Sequence, residues 1–206
     1  MENRQYLLTA QHVVQGLKAG TEILIKHARD WKTCQVSNVW FAGGGTDLAV
    51  ISPRAQLSPA WDIDITDSGG FFVSQEAYFL GFPYGYYTEA GSANNDYPIP
   101  FVKRGIIAGF TSESDGHQVI FVDGHNNPGF SGGPLVITSA THRQQLIGIV
   151  SGYRSAEEPI LFNGQPTGLN YNYNTGLVVA YGLRLALDHI LNNQTGAPIT
   201  IRPGTA

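Results

Sequence analysis

Charged residues are scarce in this sequence, and the positively charged ones do not cluster. Only 14% of the 206 residues are charged, and the formal net charge is −4. Without a cluster of Lys and Arg there is no electrostatic basis for binding nucleic acid or an anionic membrane surface. No run of 18 apolar residues is present to span a membrane as a helix. These absences favour a globular protein that has no nucleic-acid partner and no membrane span.

Cysteine is nearly absent as well. Cys34 is the only one, which excludes an internal disulfide framework, and we predict that it is a buried apolar side chain. The histidines show no metal-ligand spacing, so no metal or other cofactor is predicted. Asp62, Asp64 and Asp67 are interpreted as a solvated link rather than a cation site. Neither the compartment nor the oligomeric state follows from these features.

Glycine and aromatic residues are abundant. The 25 glycines, 10 tyrosines and 10 phenylalanines indicate many short strands joined by turns, and hence an all-β fold. Apolar runs bounded by turn residues predict four strands in the first quarter of the chain and six after the Asp-containing link. The predicted strands are Tyr6–Thr9, Glu22–Lys26, Gln35–Phe41, Leu48–Ile51, Ala77–Gly81, Phe101–Phe110, Val119–Val122, Pro134–Ile137, Gln145–Ser151 and Gly176–Tyr181.

The period of the apolar pattern changes after Gly182. The apolar positions then follow the spacing of one helix face, namely Leu183, Leu187, Ile190 and Leu191. A C-terminal helix is therefore predicted. The segments 82–100 and 152–175 are rich in Tyr, Asn, Gly and Pro and are predicted to be long irregular loops, which are uncommon in compact domains unless they bind something.

Ser131 lies in the stretch NPGFSGGPLV, at positions 127–136. A serine hydroxyl is a poor nucleophile until a base takes its proton, and the acyl-transfer transition state needs donors for a negative oxygen. Glycines, which lack a Cβ, let the backbone adopt φ > 0 and let a substrate approach closely. We therefore predict an oxyanion hole formed by the N–H groups of Gly129 and Ser131. Taken alone, the stretch is equally compatible with an ordinary turn.

Two further segments contain the partners that such a serine needs. LLTAQHVV places His12 just after a predicted strand, and GTDLAVIS places Asp47 at the start of another. With the order His, Asp, Ser, the chain resembles the chymotrypsin-like (trypsin-fold) serine peptidases. NPGFSGGPLV, GFPYG and LIGIVSG are most similar to bacterial trypsin-like peptidases, including relatives of the Deg-type proteases.

The resemblance implies a role for each of five residues. Ser131 would attack the scissile carbonyl, His12 would act as general base and then as general acid, and Asp47 would orient the imidazole and stabilise its charged form. Ser151, in GIVSG, matches the serine that supports the aspartate in the family. Ala10, in TAQH, would present its backbone N–H to the same carboxylate.

The resemblance also implies two six-stranded antiparallel β-barrels and the C-terminal helix. Only 11 residues precede His12, so the first barrel is expected to lack its two N-terminal strands, and truncation is the expected cause. Within one trypsin-like peptidase domain, the expected parts are a partial barrel at 1–68, a second barrel at 69–181, and a helix and tail at 182–206. An open barrel exposes strand edges, so poor stability is expected.

Two features depart from trypsin itself. Phe130 stands where trypsin has an aspartate that pairs with a newly cleaved N-terminus, so packing must hold the oxyanion loop here. The specificity pocket is expected to have His125 at its base, Tyr153 at its entrance and Gly176 on its far wall. Because no aspartate stands at the base, small or medium apolar side chains are the predicted preference rather than Lys or Arg.

The sequence thus favours a serine endopeptidase that hydrolyses polypeptides through an acyl-enzyme. The alternative is a truncated or inactive trypsin-like domain that binds peptides or proteins, and a third possibility is a structural β-domain. The presence of His12, Asp47 and Ser131 favours the enzyme. The missing strands favour the binding module.

Overall fold

The computed structural model of the chain describes residues 4–59, 63–65, 70–112 and 116–200. Most of its regular structure is strand. The strands are β1 Arg4–Gln5, β2 Leu7–Thr9, β3 Glu22–His27, β4 Asp30–Phe41, β5 Ala49–Pro53, β6 Asp64–Ile65, β7 Glu76–Gly81, β8 Thr88–Glu89, β9 Pro98–Ile99, β10 Phe101–Ser112, β11 Gln118–Asp123, β12 Pro134–Thr138, β13 Gln144–Phe162, β14 Gln165–Gly182 and β15 Ala197–Pro198. The helix α1 spans Arg184–Asn192, and short 3-10 turns lie at Gln11–Val14, Pro83–Gly85 and Gly91–Asn94.

The larger sheet contains a closed ring of six strands. Its order is β12-β7-β10-β11-β14-β13-β6, and β12 also pairs with β13, which closes the first six strands on themselves. Apolar side chains fill the interior of the ring, and Phe79, Ile107 and Ile120 have no exposed surface. Closure removes the free edges that an open sheet would expose. This ring is the second barrel that the sequence predicts.

The smaller sheet has four strands in the order β2-β5-β4-β3, and α1 packs against it. Leu48 and Val50 share a buried cluster with Ile149 and with the helix residues Leu183, Ala186, Leu187 and Ile190. The two-barrel all-β fold with a C-terminal helix is therefore confirmed. Leu191, predicted on the buried helix face, is instead 57% exposed, because that face is centred on Leu183 and Ile190 and Leu191 lies at its margin.

The prediction of an irregular loop at 152–175 is wrong. β13 and β14 continue through this segment as a long antiparallel hairpin that ends in the two-residue turn Asn163-Gly164. Both turn residues have positive φ, 49° and 78°, which is the geometry that Asn-Gly favours between two strands. This dipeptide is the signal in the sequence that indicates a hairpin rather than a loop.

Other segments agree more closely with expectation. The segment 82–100 contains only two 3-10 turns and the two-residue strands β8 and β9. Cys34 is 7% exposed, and burial raises the pKa of its thiol. Asp64 forms an ion pair with Arg143 at 3.2 Å, whereas Asp62 and Asp67 lie outside the described residues.

Candidate active site

His12 lies at the edge of the smaller sheet, in the 3-10 turn that follows β2. Ala10 is extended and fully buried, and its C=O accepts the Val13 N–H at 3.2 Å, which closes the turn. The turn directs the His12 side chain outward, where half of its surface is exposed. A histidine held by its backbone but open to solvent on one side is accessible to a substrate.

Asp47 is presented by a glycine turn just before β5. Gly43, Gly44 and Gly45 all have positive φ, a conformation that residues with a Cβ rarely adopt. The Asp47 carboxylate accepts the backbone N–H of His12 at 2.8 Å through Oδ1, and its Oδ2 lies 2.6 Å from His12 Nδ1. This contact leaves Nε2 of the imidazole available on the opposite side of the ring.

The backbone donor to this carboxylate differs from the one predicted. The sequence predicts the Ala10 N–H, but the structure records the N–H of His12 and no hydrogen bond between Ala10 and Asp47. The 3-10 turn explains the difference, because it brings the backbone of His12 itself to the carboxylate. His12 is therefore attached to Asp47 by both its backbone and its ring.

Ser151, on β13, contributes a further donor to Asp47. Its hydroxyl donates to Oδ2 at 2.6 Å. Burial would by itself raise the pKa of Asp47, but the hydrogen bonds from Ser151 and from the N–H and ring of His12 outweigh it and lower that pKa. The carboxylate is therefore ionised near neutral pH and acts as a fixed negative charge beside the imidazole.

Ser131 is not hydrogen-bonded to His12 in this structure. Its hydroxyl donates to the backbone C=O of Ser151 at 2.7 Å, and no hydrogen bond joins Ser131 and His12. Ser151 therefore connects the two halves of the site, since its side chain binds Asp47 and its backbone binds Ser131. A rotation of the Ser131 side chain about Cα–Cβ is needed to bring its hydroxyl toward His12.

The loop before Ser131 requires its glycines. Gly129 has φ +102°, and a Cβ there would come within 2.2 Å of the Phe82 C=O. A Cβ on Gly133 would come within 1.9 Å of the Leu80 C=O. Within the described part of the chain, the N–H groups of Gly129 and Ser131 have no hydrogen-bond partner. These two residues, predicted as an oxyanion hole, thus have donors available for a ligand oxygen.

Phe130 anchors this loop in the second barrel. The side chain has no exposed surface and meets the Phe79 ring edge-on, with ring centroids 5.3 Å apart. The neighbouring backbone is tied to β7, because Phe82 N–H donates to the Gly129 C=O at 2.8 Å. Packing thus replaces the ion pair that holds the equivalent loop in trypsin.

Replacing Phe130 with alanine is expected to lower the free energy of unfolding by about 4 kcal/mol, because it leaves a cavity where a fully buried ring had been. Chemical denaturation of the two proteins measures the loss. Phe162→Ala is the matched control, since Phe162 is 72% exposed and its removal should cost about 0.5 kcal/mol or less. Equal losses in the two variants would show that Phe130 is not an anchor.

The residues predicted for the specificity pocket belong to neighbouring segments. The Gly176 C=O accepts the Gly124 N–H at 2.8 Å, which places Gly176 beside the segment that leads to His125. Tyr153 pairs with Val178, two residues along β14 from Gly176, and its side chain is 42% exposed. All three therefore lie where the end of β11 meets the β13–β14 pair.

The sequence does not indicate Lys103, which also reaches this region. From β10, its ammonium donates to the His125 C=O at 2.6 Å and to the side chain of Asn127, and it lies 5.4 Å from the Phe130 ring centroid. Burial lowers the pKa of Lys103. Lys103 thus holds the segment that precedes Gly129 in place through these hydrogen bonds. This role becomes evident only from the order of the strands in the folded sheet.

His117 is a second residue that the sequence does not indicate. Its ring is hydrogen-bonded to the Thr46 hydroxyl, and a Cβ on Gly44 would come within 2.7 Å of the ring. Tyr181 reaches the same turn, with its hydroxyl 3.3 Å from the Gly45 C=O. The larger sheet thus supports the turn that presents Asp47 in the smaller sheet.

Two general features of the described residues bear on cofactors and membranes. No three His, Cys, Asp or Glu side chains among them are grouped as a metal site requires. The helices found in the same part of the chain are too short or too polar to cross a membrane.

The chain is similar in sequence to one family and in fold to solved proteases. The family model of the trypsin-like peptidase domain matches residues 1–149. Among solved structures, the chain is similar to a substituted form of the HtrA-type protease AlgW with a tripeptide, at 24% identity and a TM-score of 0.57, covering 95% of this chain and 55% of that one. The form with a decapeptide matches at the same identity and TM-score, covering 95% and 50%.

These likenesses differ in what they establish. At 24% identity, the solved structures establish the fold. The chain spans about half the length of these solved relatives. No curated protein matches it by sequence.

Proposed function

Because the chain belongs to the family of trypsin-like peptidase domains, we propose that it is a serine endopeptidase that hydrolyses polypeptides through an acyl-enzyme. Ser131 is the nucleophile, His12 the general base and acid, and Asp47 the residue that orients the imidazole. The N–H groups of Gly129 and Ser131 bind the oxyanion. No cofactor is required for this chemistry.

The observation that carries the proposal is the ionised Asp47 bound on three sides. It accepts the Ser151 hydroxyl, the His12 backbone N–H and the His12 ring, all within 2.8 Å. A carboxylate against Nδ1 fixes the imidazole tautomer whose Nε2 accepts a proton, and it stabilises the imidazolium that results. A histidine with only a structural role would not need a carboxylate held by three hydrogen bonds.

The reaction begins when the Ser131 hydroxyl leaves the Ser151 C=O and turns to Nε2 of His12. The oxygen attacks the scissile carbonyl as its proton passes to His12, and the resulting oxyanion accepts the two free N–H groups. His12 then donates the proton to the leaving amine, which breaks the C–N bond and leaves an ester on Ser131. Water, deprotonated by His12, hydrolyses that ester and restores the hydroxyl.

A peptide substrate is supported by the relatives. The solved AlgW structures are with a tripeptide and with a decapeptide. We extend this to the present chain and propose a polypeptide substrate, with small or medium apolar side chains before the scissile bond. His125, Tyr153 and Gly176 form the pocket for that side chain.

A peptide-binding module without turnover is the second candidate. The hydrogen bond from Ser131 to the Ser151 C=O favours it, because the nucleophile in this arrangement is not aligned with the base. The two candidates differ in whether the Ser131 side chain rotates once a substrate is bound.

Pre-steady-state hydrolysis of a p-nitrophenyl ester separates the two. An enzyme that forms an acyl-enzyme should release a burst of nitrophenolate equal to the concentration of active sites, followed by a slower steady rate. The His12→Ala variant is the control for non-specific hydrolysis and should show no burst. A wild-type protein that binds peptides but gives no burst would favour the binding module.

A further inference from the structure

The hairpin formed by β13 and β14 extends well past the closed ring of strands. Within the described residues, β13 pairs with β12 only as far as Ile149, and β14 pairs with β11 only from Leu177 onward. The two strands therefore pair with each other alone over 155–174, which we call the projecting hairpin. The edge of β13 that faces away from β14 carries unpaired backbone groups over this length.

Pro159 shows which residues of β13 direct their backbone groups to that edge. Proline has no N–H, so within a strand it occupies a position whose nitrogen faces away from the partner strand. Pro159 lies opposite Asn170, and alternation along β13 gives Ser155 and Glu157 the same outward orientation. The edge thus offers the N–H and C=O groups of Ser155 and Glu157 to an added strand.

The edge begins at the candidate active site. The Ser151 C=O, which accepts the Ser131 hydroxyl, lies on the same strand four residues before Ser155. At about 3.3 Å per residue, β13 extends about 36 Å from Ser151 to Phe162. A polypeptide with its scissile bond at Ser131 would therefore find a continuous strand edge along which to pair.

Side-chain contacts hold the projecting hairpin in register without a ligand. Glu158 accepts the hydroxyls of Tyr171 and Tyr173 at 3.1 and 3.0 Å. The Asn170 amide donates to Glu157 at 2.7 Å. Because these contacts cross between the strands, the edge is already ordered, and a ligand strand would lose less conformational entropy on binding to it.

The exposed side chains of the projecting hairpin indicate the character of its ligand. Near the turn, the exposed apolar residues are Ile160, Leu161, Phe162 and Leu169, at 40 to 72% exposure. Glu157 and Glu158 are the only charged residues in the segment 155–174. An apolar segment is favoured here, and an acidic one is disfavoured by like charge.

We propose that the outer edge of β13 in the projecting hairpin binds an extended, apolar, non-acidic stretch of the polypeptide substrate, about four residues long, that lies beyond the fourth residue on the N-terminal side of the scissile bond. The stretch adds to β13 as an antiparallel strand. The proposal rests on the proposed function, because the direction in which the substrate runs along β13 is counted from a scissile bond at Ser131. It makes the protein selective for long extended segments over short peptides.

A length series tests the proposal. The best-cleaved hexapeptide from a peptide library, four residues before and two after the scissile bond, is extended at its N-terminus by Thr-Val-Thr-Val. The extension should raise kcat/KM about tenfold or more, since it adds several backbone hydrogen bonds to the edge. N-methylation of the added residues one at a time should alternate in its effect, because only those whose N–H faces Ser155 or Glu157 would lose a hydrogen bond and with it the gain.

Two matched variants locate the edge. Glu157→Pro removes an outward N–H from β13, and Asn172→Pro, at the paired position, removes one from the outer edge of β14. Only Glu157→Pro should reduce the gain from the extension. Glu157→Gln controls for loss of the side-chain charge. A shortened hairpin, in which Asn-Gly replaces 157–172 and joins Ala156 to Tyr173 by a two-residue turn, should abolish the gain and leave hexapeptide cleavage unchanged.

Binding separates this proposal from the proposed function. Affinity of the fluorescein-labelled extended peptide is measured by anisotropy on Ser131→Ala, which needs no turnover. Weaker binding to the shortened-hairpin form of Ser131→Ala supports the edge site even if the wild type hydrolyses nothing. Equal peptide affinity in both forms would overturn the proposal, and so would equal effects of the two proline substitutions. A dimer in which two copies pair through the outer edge of β13 would also overturn it.

Discussion

Ser131→Ala is expected to lower kcat for peptide hydrolysis about 10⁶-fold, because the proposed reaction uses its hydroxyl as the nucleophile. Its hydroxyl is the one that lies within 2.7 Å of Ser151, beside the Asp47–His12 pair. The loss should appear in kcat with little change in KM, since the substitution removes the nucleophile and leaves the binding surfaces intact. Single-turnover kinetics with a cleavable peptide measures it.

The matched control is Ser92→Ala. Ser92 is exposed in the 3-10 turn Gly91–Asn94 and makes no side-chain hydrogen bond within the described residues. Its replacement should leave kcat unchanged. Activity in Ser131→Ala within tenfold of the wild type, with Ser92→Ala unaffected, would assign the chemistry to another residue.

Asp47→Asn should lower kcat about 10⁴-fold at neutral pH. The amide keeps the shape of the side chain but carries no charge, and with its oxygen still accepting the His12 backbone N–H its NH₂ would face Nδ1. An NH₂ facing Nδ1 selects the tautomer whose Nε2 already carries a proton and cannot accept one from serine. The measurement is kcat of the folded variant against the wild type at pH 7.

Asp188→Asn serves as the control for loss of one negative charge. Asp188 pairs with Arg184 on the exposed side of α1, at 3.4 Å, far along the chain from the site. That substitution should change kcat by less than about twofold. A similar loss in both variants would mean that net charge, and not the tautomer of His12, sets the rate.

Much of the fold is predictable because the strands that surround the site follow local rules. Short apolar runs between turn residues locate the strands of both sheets, and the change to helical spacing after Gly182 locates α1. The projecting hairpin is different. Its strands are exposed on both faces, so they lack the apolar alternation of a half-buried strand, and only the Asn163-Gly164 turn indicates them.

In the candidate site, too, some features can be predicted from the sequence and others cannot. His12, Asp47 and Ser131 stand in recognisable motifs, and the structure brings Asp47 to His12 and Ser151 to both Asp47 and Ser131. The resting orientation of the Ser131 hydroxyl is a choice among rotamers, which no motif encodes. Ala10 was the wrong donor for a comparable reason, since the 3-10 turn decides which N–H faces the carboxylate.

Contacts between distant segments are the part that sequence reasoning misses. Lys103 reaches the segment before Gly129 because β10 pairs with β11, which leads into that segment. His117 supports the glycine turn at Asp47 across 71 residues of sequence. Both contacts depend on how the sheets pack, which no local pattern records.

In the proposed reaction, Ser131 becomes nucleophilic through His12. The direct measurement is labelling with a fluorophosphonate, followed by mass spectrometry of the digested protein. We expect one adduct per chain, on Ser131, formed by the wild type and lost in His12→Ala. An adduct on a different residue, or labelling of Ser131 that is equally fast without His12, would contradict it.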